Sequence, residues 1–346
     1  MLQLAKYSFA NAKIRAMLSY LLPPETFLSL LDSKDVYELM DGLKKTPYKG
    51  IIEKSSQENP DIKYLEKELL KEDIAAYRKV YGAIPGKAEK EFVFLLLERY
   101  ELEELKVVLR IWHKKIPVDL GEYIIEGNIC RQIDFKKIIQ AGAIEEVILL
   151  LDETPYLKPL LKIKDKFKES NSLFYLEAAL DVDYYTRLNK QVGLFSGLDQ
   201  KAARKILGVL VDTENINWLI RLRKYYSLGI GEMLEFVLPG GRRINKDTVR
   251  NFYTTDGLAK IVESVSFGPY AKIKDLVEEN VALIENFLYE FLSREVKVAL
   301  SGFPFTIGTV LGYLILKHRE TRNIVSLLNA KYYGWKRQET EPLLSL

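Results

Sequence analysis

Residues 211–221 read VDTENINWLIR, and the same pattern is written twice more in this chain. Residues 100–110 read YELEELKVVLR, and residues 319–329 read RETRNIVSLLN. Each holds an apolar triplet: Leu105, Val108 and Leu109; Ile216, Leu219 and Ile220; Ile324, Leu327 and Leu328. Spacings of three and four keep such residues on one face of a helix. In a single register, Glu104, Asn215 and Asn323 are separated by 111 and 108 positions. The same two steps link Leu65, Leu176 and Ile284, then Glu66, Glu177 and Glu285, then Pro85, Ser196 and Pro304. A shorter echo, ANAKIRAML at 10–18, supplies Ile14, Met17 and Leu18.

A second signal punctuates the first. TPYKGII stands at 46–52, TPYLKPL at 154–160 and GPYAKIK at 268–274. Upstream of each Pro-Tyr lie apolar residues at matching distances: Val36, Leu39 and Leu43; Ile144, Val147 and Leu151; Leu258, Ile261 and Val265. The residue before proline avoids the α region, so each Pro-Tyr marks the stop of a short helix. An acid, Glu101, Asp212 or Glu320, stands before each apolar triplet. An acid near a helix start favours the helix dipole, although the apolar pattern upstream can also be read as continuing the same helix.

The period is too long for a solenoid unit and matches a small domain. Strand patterns are scarce. The chain therefore reads as all-α, with three related helical units in tandem. The expected division is 1–99, shortened and completed by C-terminal helices, then 100–210, then 211–346. Units packed head to tail about one axis make a roughly threefold body with a central depression. Such a body suits a partner that is itself a ring or an axle.

Composition narrows the function classes. The chain has 346 residues, 51 basic and 48 acidic, with net charge +3. That balance gives no electrostatic footprint for nucleic acid. The single cysteine, Cys130, excludes an intrachain disulfide and suits a reducing compartment. The start, MLQLAKYSFANAKIRAML, lacks the apolar core of a signal peptide. Residues 298–316, VALSGFPFTIGTVLGYLIL, carry no charge. Length alone would allow a membrane span. Pro304 and the glycines around it instead predict a helix end, a turn and a new core helix.

No catalytic or cofactor constellation emerges. His113 and His318 lie in different copies, so a Cys/His metal site has no ligands to draw on. GAIPGKA at 82–88 is one residue short of a phosphate loop, and Ala88 replaces the hydroxyl that holds magnesium. Its place in the register predicts a turn between two helices. LGIGEML at 228–234 lacks the third glycine of a dinucleotide loop. The loops IEGNICRQID at 125–134 and LPGGRRINKD at 238–247 occupy equivalent places. Arg131, Gly240, Gly241, Arg242 and Arg243 there are the candidate partner interface, since arginine meets carboxylates and helix C-termini well.

Four segments carry a family resemblance: YSFANAKIRAMLSYLL at 7–22, LERYELEELKVVLRIW at 97–112, DTENINWLIRLRKYY at 212–226, and FPFTIGTVLGYLILKHRETRNIVSLLNAKYYG at 303–334. Over nearly its whole length the chain resembles the C subunit of prokaryotic V-type (A/V-type) ATPases, itself similar to the d subunit of the eukaryotic enzyme. The resemblance implies an all-helical, funnel-like body of three similar domains. It implies a non-catalytic rotor part with no cofactor, seated on the membrane ring and receiving the base of the central axle. Its place would be cytoplasmic, at the membrane surface. Glu104, where the other copies have Asn, implies that this helix tolerates change. The competing reading is a generic helical interaction scaffold outside any motor. An enzyme using Glu and Arg of the repeat helices would instead show activity in the isolated chain.

Overall fold

The computed structural model describes residues 2–55, 61–125, 127–225, 228–252, 258–276 and 281–345. Helix occupies 75% of the chain, and the described residues contain no strand. Seven long helices form the frame: α1 (Leu2–Leu18), α2 (Ile62–Ala83), α3 (Lys87–Lys114), α4 (Leu173–Gly193), α5 (Gly197–Tyr225), α6 (Val281–Ser301) and α7 (Ile307–Tyr332). Shorter helices fill the intervals, among them Val36–Leu43, Ile144–Leu149 and Leu258–Val265.

Local chemistry sets the ends of these helices. Asp61 caps α2 by accepting the Tyr64 N–H at 2.9 Å. Thr306 caps α7 by accepting the Gly308 N–H at 3.2 Å. Such caps satisfy donors that a helix start leaves open. At the other end of α3, Lys115 turns left-handed, with φ 51°, and closes the helix. Pro85, Ser196 and Pro304 all fall in the turns that join α2 to α3, α4 to α5 and α6 to α7. The phosphate-loop lookalike at 82–88 is the first of these turns. The uncharged run at 298–316 resolves as expected: α6 ends at Ser301, and the α7 residues from Ile307 to Leu314 are buried. No helix among the described residues is long and apolar enough to cross a membrane.

The packing order closes on itself. α2 packs on α3, α3 on α4, α4 on α5, α5 on α6, α6 on α7, and α7 back on α2. α1 lies along α7 and α2. All three apolar triplets are buried, each in a different core cluster. Ile14 of the shorter echo is buried as well. The third cluster joins the two ends of the chain: Leu30, Leu39, Leu43, Leu65 and Leu69 meet Ile324, Leu327, Leu328 and Leu344. Leu39, Leu43, Val147, Leu151, Ile261 and Val265 of the Pro-Tyr helices are all buried. The side chain of Leu258 lies outside the described residues.

One polar contact repeats around this cycle. Arg110 of α3 donates to Glu177 of α4 at 2.6 and 2.9 Å. Arg221 of α5 donates to Glu285 of α6 at 2.8 Å. Asn329 of α7 donates to Glu66 of α2. The three acids are the register-equivalent set seen in the sequence, and the three donors share the same steps of 111 and 108.

Near their starts, α5 and α7 come close enough to demand glycine. A Cβ on Gly308 would lie 2.8 Å from Ala202 Cβ. Gly308→Val should therefore cost about 1–3 kcal/mol of stability through overpacking. Gly82→Ala, in a helical site with open space around it, should gain up to about 1 kcal/mol. Urea midpoints of the two variants check both, and a neutral Gly308→Val would refute the close approach.

Candidate partner interface

The acids ahead of the apolar triplets do not lie at helix starts. Glu101, Asp212 and Glu320 sit in the middle of helices of 28, 29 and 26 residues. The apolar pattern upstream continues the same helix, so the dipole reading fails. Their role is a buried clasp, and the Pro-Tyr tyrosines are its other half. Tyr156 OH donates to Glu101 Oε1 at 2.9 Å. Tyr270 OH donates to Asp212 Oδ2 at 2.9 Å. Tyr48 OH donates to Glu320 Oε1. The partner of Tyr48 is thus 272 residues away in α7, not in the 10–18 echo, which has no acid.

Each clasp also gathers loop backbone. Glu101 accepts the N–H groups of Cys130 at 3.0 Å and Arg131 at 2.6 Å. Asp212 accepts those of Arg243 at 3.0 Å and Ile244 at 2.8 Å. Glu320 accepts that of Leu22 at 2.5 Å. One turn further along each helix, a second side chain holds the same stretch or its counterpart. Asn215 accepts the Leu238 N–H at 2.8 Å and donates to Leu238 O and Ile244 O, both at 3.0 Å. Asn323 accepts the Ser345 N–H at 3.2 Å and donates to Ser345 O at 3.0 Å. Glu104 accepts the Ile125 N–H at 2.5 Å. Glu104 is buried, so the helix does not simply tolerate change there.

The sequence-nominated residues divide. Arg131 is engaged inside the protein, with Nη1 at 2.8 Å from Glu101 and Nη2 at 2.5 Å from Glu98. Cys130 beside it is half-buried, and burial next to Glu101 pushes its thiol up to about 12. Gly240 and Gly241 are constrained by conformation and by space. Gly240 has φ +99°, and a Cβ on Gly241 would lie 2.2 Å from Ile244 O and 2.7 Å from Asp212 Oδ1. Arg242 is exposed, with Nη1 at 3.7 Å from Glu295. Arg242 and Arg243 line a pocket of about 350 Å³ with Lys205, Glu295 and Tyr270.

A larger concavity lies among the long helices. It has a volume of about 710 Å³ and is lined by residues of all six helices of the closed cycle. The three repeat helices present register-equivalent positions to it: Arg99, Leu210 and His318, and again Glu103, Glu214 and Arg322. Its polar groups are cross-linked in pairs. Arg99 reaches Tyr185 OH and lies 3.8 Å from Glu214. Arg322 lies 3.6 Å from Glu285 and 4.8 Å from the Tyr289 ring centre. His318 Nδ1 meets Asp73 at 3.0 Å and Tyr100 OH at 3.2 Å. Burial lowers Arg319, whose Nη1 has no hydrogen-bond partner among the described residues. The described residues hold no cluster of metal-ligating groups.

Comparison with known proteins decides the family. The profile of the ATP synthase (C/AC39) subunit family matches residues 10–343. The chain belongs to this family. Its members are a non-catalytic part of a rotary ATPase complex. The C subunit of the A-type ATP synthase of Archaeoglobus fulgidus is 26% identical over 97% of this chain and 95% of its own. That of Methanocaldococcus jannaschii is 23% identical over 99% of this chain and 87% of its own. That of Thermococcus onnurineus is 24% identical over 92% and 84%.

The clasps make a direct prediction. Tyr156→Phe and Tyr270→Phe should each cost about 1–3 kcal/mol, because each leaves a buried carboxylate short of one donor. Tyr20→Phe, at an exposed position, should stay within about 0.5 kcal/mol. Denaturant midpoints of the three variants test this. Wild-type stability in the first two would mean that the hydroxyl contacts do not form.

Proposed function

We propose that this chain is a central-stalk spacer of a rotary ATP synthase or ATPase. In this reading it couples the axle of the soluble ATPase part to the membrane rotor ring. It would work at the cytoplasmic membrane surface, attached through protein contacts. The observation that carries the reading is the depression lined by equivalent positions of three equivalent helices. A depression built in that way offers similar walls to an axle seated along the body's own axis.

The proposal includes a pseudo-threefold, funnel-like arrangement of three units. Unit one comprises residues 1–99 completed by α7, unit two spans 100–210, and unit three begins at 211. Two contacts that recur in one register support it: the tyrosine–acid clasp and the α3–α4, α5–α6, α7–α2 polar link. Arg242 and Arg243 are the proposed contacts to carboxylates of a partner. Arg131 contributes by holding its own loop in shape, and Gly240 and Gly241 by letting theirs turn.

The experiment is reconstitution with the axle proteins and the detergent-solubilised ring. Ser326→Cys, placed on the wall of the depression in a Cys130→Ser background, should cross-link to an axle protein. Alanine at both Arg242 and Arg243 should weaken assembly about tenfold or more while the melting temperature stays within a few degrees. Alanine is preferred to an acid there because Glu295 and Asp212 lie close by. Absence of a cross-link with both partners present would sink the axle assignment. Undiminished assembly of the double variant would sink the arginine contact alone.

A further inference from the structure

Three cations face one small pocket beside the third Pro-Tyr mark. Lys205 of α5, Arg242 and Arg243 of the loop at 238–247, and Glu295 of α6 line a volume of about 350 Å³. The remaining wall is largely apolar, with Val209, Pro269, Tyr270 and Phe291. The rings of Tyr270 and Phe291 meet edge to face at 5.4 Å.

Charge on this lining is unbalanced. Glu295 is its one acid among the described residues. Lys205 Nζ lies 3.6 Å from Glu295 Oε2, and Arg242 Nη1 lies 3.7 Å from the same oxygen. Both separations exceed hydrogen-bond length. Arg243 is half-buried. Its guanidinium makes no hydrogen bond or ion pair among the described residues. It packs on Gly268, where a Cβ would lie 3.1 Å from Arg243 Nη1. Asp212 lies near but is spent elsewhere. It is fully buried, and it accepts the Arg243 and Ile244 N–H groups and the Tyr270 hydroxyl. On the other side, the Arg242 N–H donates to Gly208 O at 3.2 Å. The backbone of both arginines is therefore pinned, while their charged ends are left without a close acid.

We propose that this pocket binds a phosphoryl group, the charged end of a phosphate monoester. Such a group carries close to two negative charges and three strong acceptor oxygens. That matches three cations in excess over one acid. A carboxylate brings one charge and two oxygens, and Glu295 already supplies one within loose reach of two of the cations. Arginine suits phosphate because its planar fork donates two parallel hydrogen bonds. The apolar wall receives the body to which the phosphate is attached. The phosphate can belong to a soluble ester or to a lipid headgroup. A ligand seated here would occupy the arginines offered to a partner's carboxylate, so the two would compete. That consequence rests on the function proposed above, whereas the pocket itself does not.

The experiment titrates the isolated chain with phenyl phosphate, inorganic phosphate and benzoate, by calorimetry at fixed ionic strength. Phenyl phosphate should saturate one site. It should bind about tenfold or more tighter than benzoate, and tighter than inorganic phosphate, which has no body for the apolar wall. Arg243→Gln should weaken it about tenfold or more, and Glu295→Gln, which removes the lining acid, should tighten it about threefold or more. The opposite signs separate a binding site from a loss of fold, and melting midpoints without ligand check each variant. Flotation with vesicles containing phosphatidic acid tells the two sources apart. A chain that floats, and that Arg243→Gln releases, binds the lipid headgroup. A chain that binds phenyl phosphate but does not float takes a soluble ester. Absence of saturable phenyl phosphate binding overturns the site. Equal affinity for benzoate, or binding that neither substitution changes, overturns it as well. Since no axle or ring is present, failure here is distinguishable from failure of the stalk reading.

Discussion

A carboxylate buried in the middle of a long helix is the constraint on which this fold is organised. An isolated buried charge is costly, and it is tolerated only when hydrogen-bonded and paired. Glu101 meets the need with Tyr156 OH, two backbone amides and Arg131. Glu320 meets it with Tyr48 OH, the Leu22 amide and Lys317. Asp212 meets it with Tyr270 OH and the amides of Arg243 and Ile244. Each acid therefore specifies three things at once: the rotation of its helix, the path of a loop and the seat of a Pro-Tyr turn. Mispositioning any one of them would leave a buried oxygen unpaired, at about 1–3 kcal/mol. Such groups set conformation more than they add net stability.

The Tyr48–Glu320 clasp has a topological consequence. Its two halves are separated by 272 residues, and the Asn329–Glu66 link by 263. The core cluster that buries Leu39, Leu43 and Leu65 also needs Ile324, Leu327 and Leu328. The amino-terminal third cannot complete its core until the last long helix is present. Contacts this distant in sequence are costly in loop-closure entropy and form late. What they achieve is closure. A linear array of helix pairs would leave two open ends, whereas here α7 packs on α2 and the cycle has none.

Much of this was legible in the sequence, for identifiable reasons. The apolar triplets were legible because helical periodicity maps directly onto burial, and the structure buries all three. The Pro-Tyr marks were legible as helix stops because proline restricts the residue before it. Thr154 shows the local detail: its hydroxyl donates to Leu151 O at 2.7 Å and accepts the Tyr156 N–H at 3.2 Å. What periodicity could not supply was the partner of each mark. The acids Glu101, Asp212 and Glu320 read as helix-start residues, because a carboxylate inside an apolar pattern has no local explanation. Only the tertiary structure brings Tyr156, 55 residues on, to its acid. The similar spacing of Tyr156 from Glu101 and of Tyr270 from Asp212, 55 and 58 residues, was the signal that could have linked two of the three pairs. Glu104 was undervalued for a similar reason, since a lone departure from asparagine looks neutral until its burial is known.

The three clasps are alike but not equal, and the inequality bears on where a partner can bind. At the position where α3 has Glu98 and α7 has Lys317, α5 has Val209. Glu98 draws Arg131 inward, together with Arg187. Lys317 neutralises Glu320 from within the same helix. At Asp212 there is neither a second acid to recruit the loop's arginines nor a lysine one turn back. Its carboxyl is satisfied by the backbone of Arg243 and Ile244, so the side chains of that loop are released from the clasp. Gly241 makes this possible, because the close approach of the loop to Asp212 leaves no room for a Cβ. Arg242 consequently stands exposed, within loose reach of Glu295 among the described residues. A surface ion pair of that length contributes little to stability. It can be exchanged for a better-placed carboxylate on another protein at small cost, which Arg131, held between two buried glutamates, cannot do.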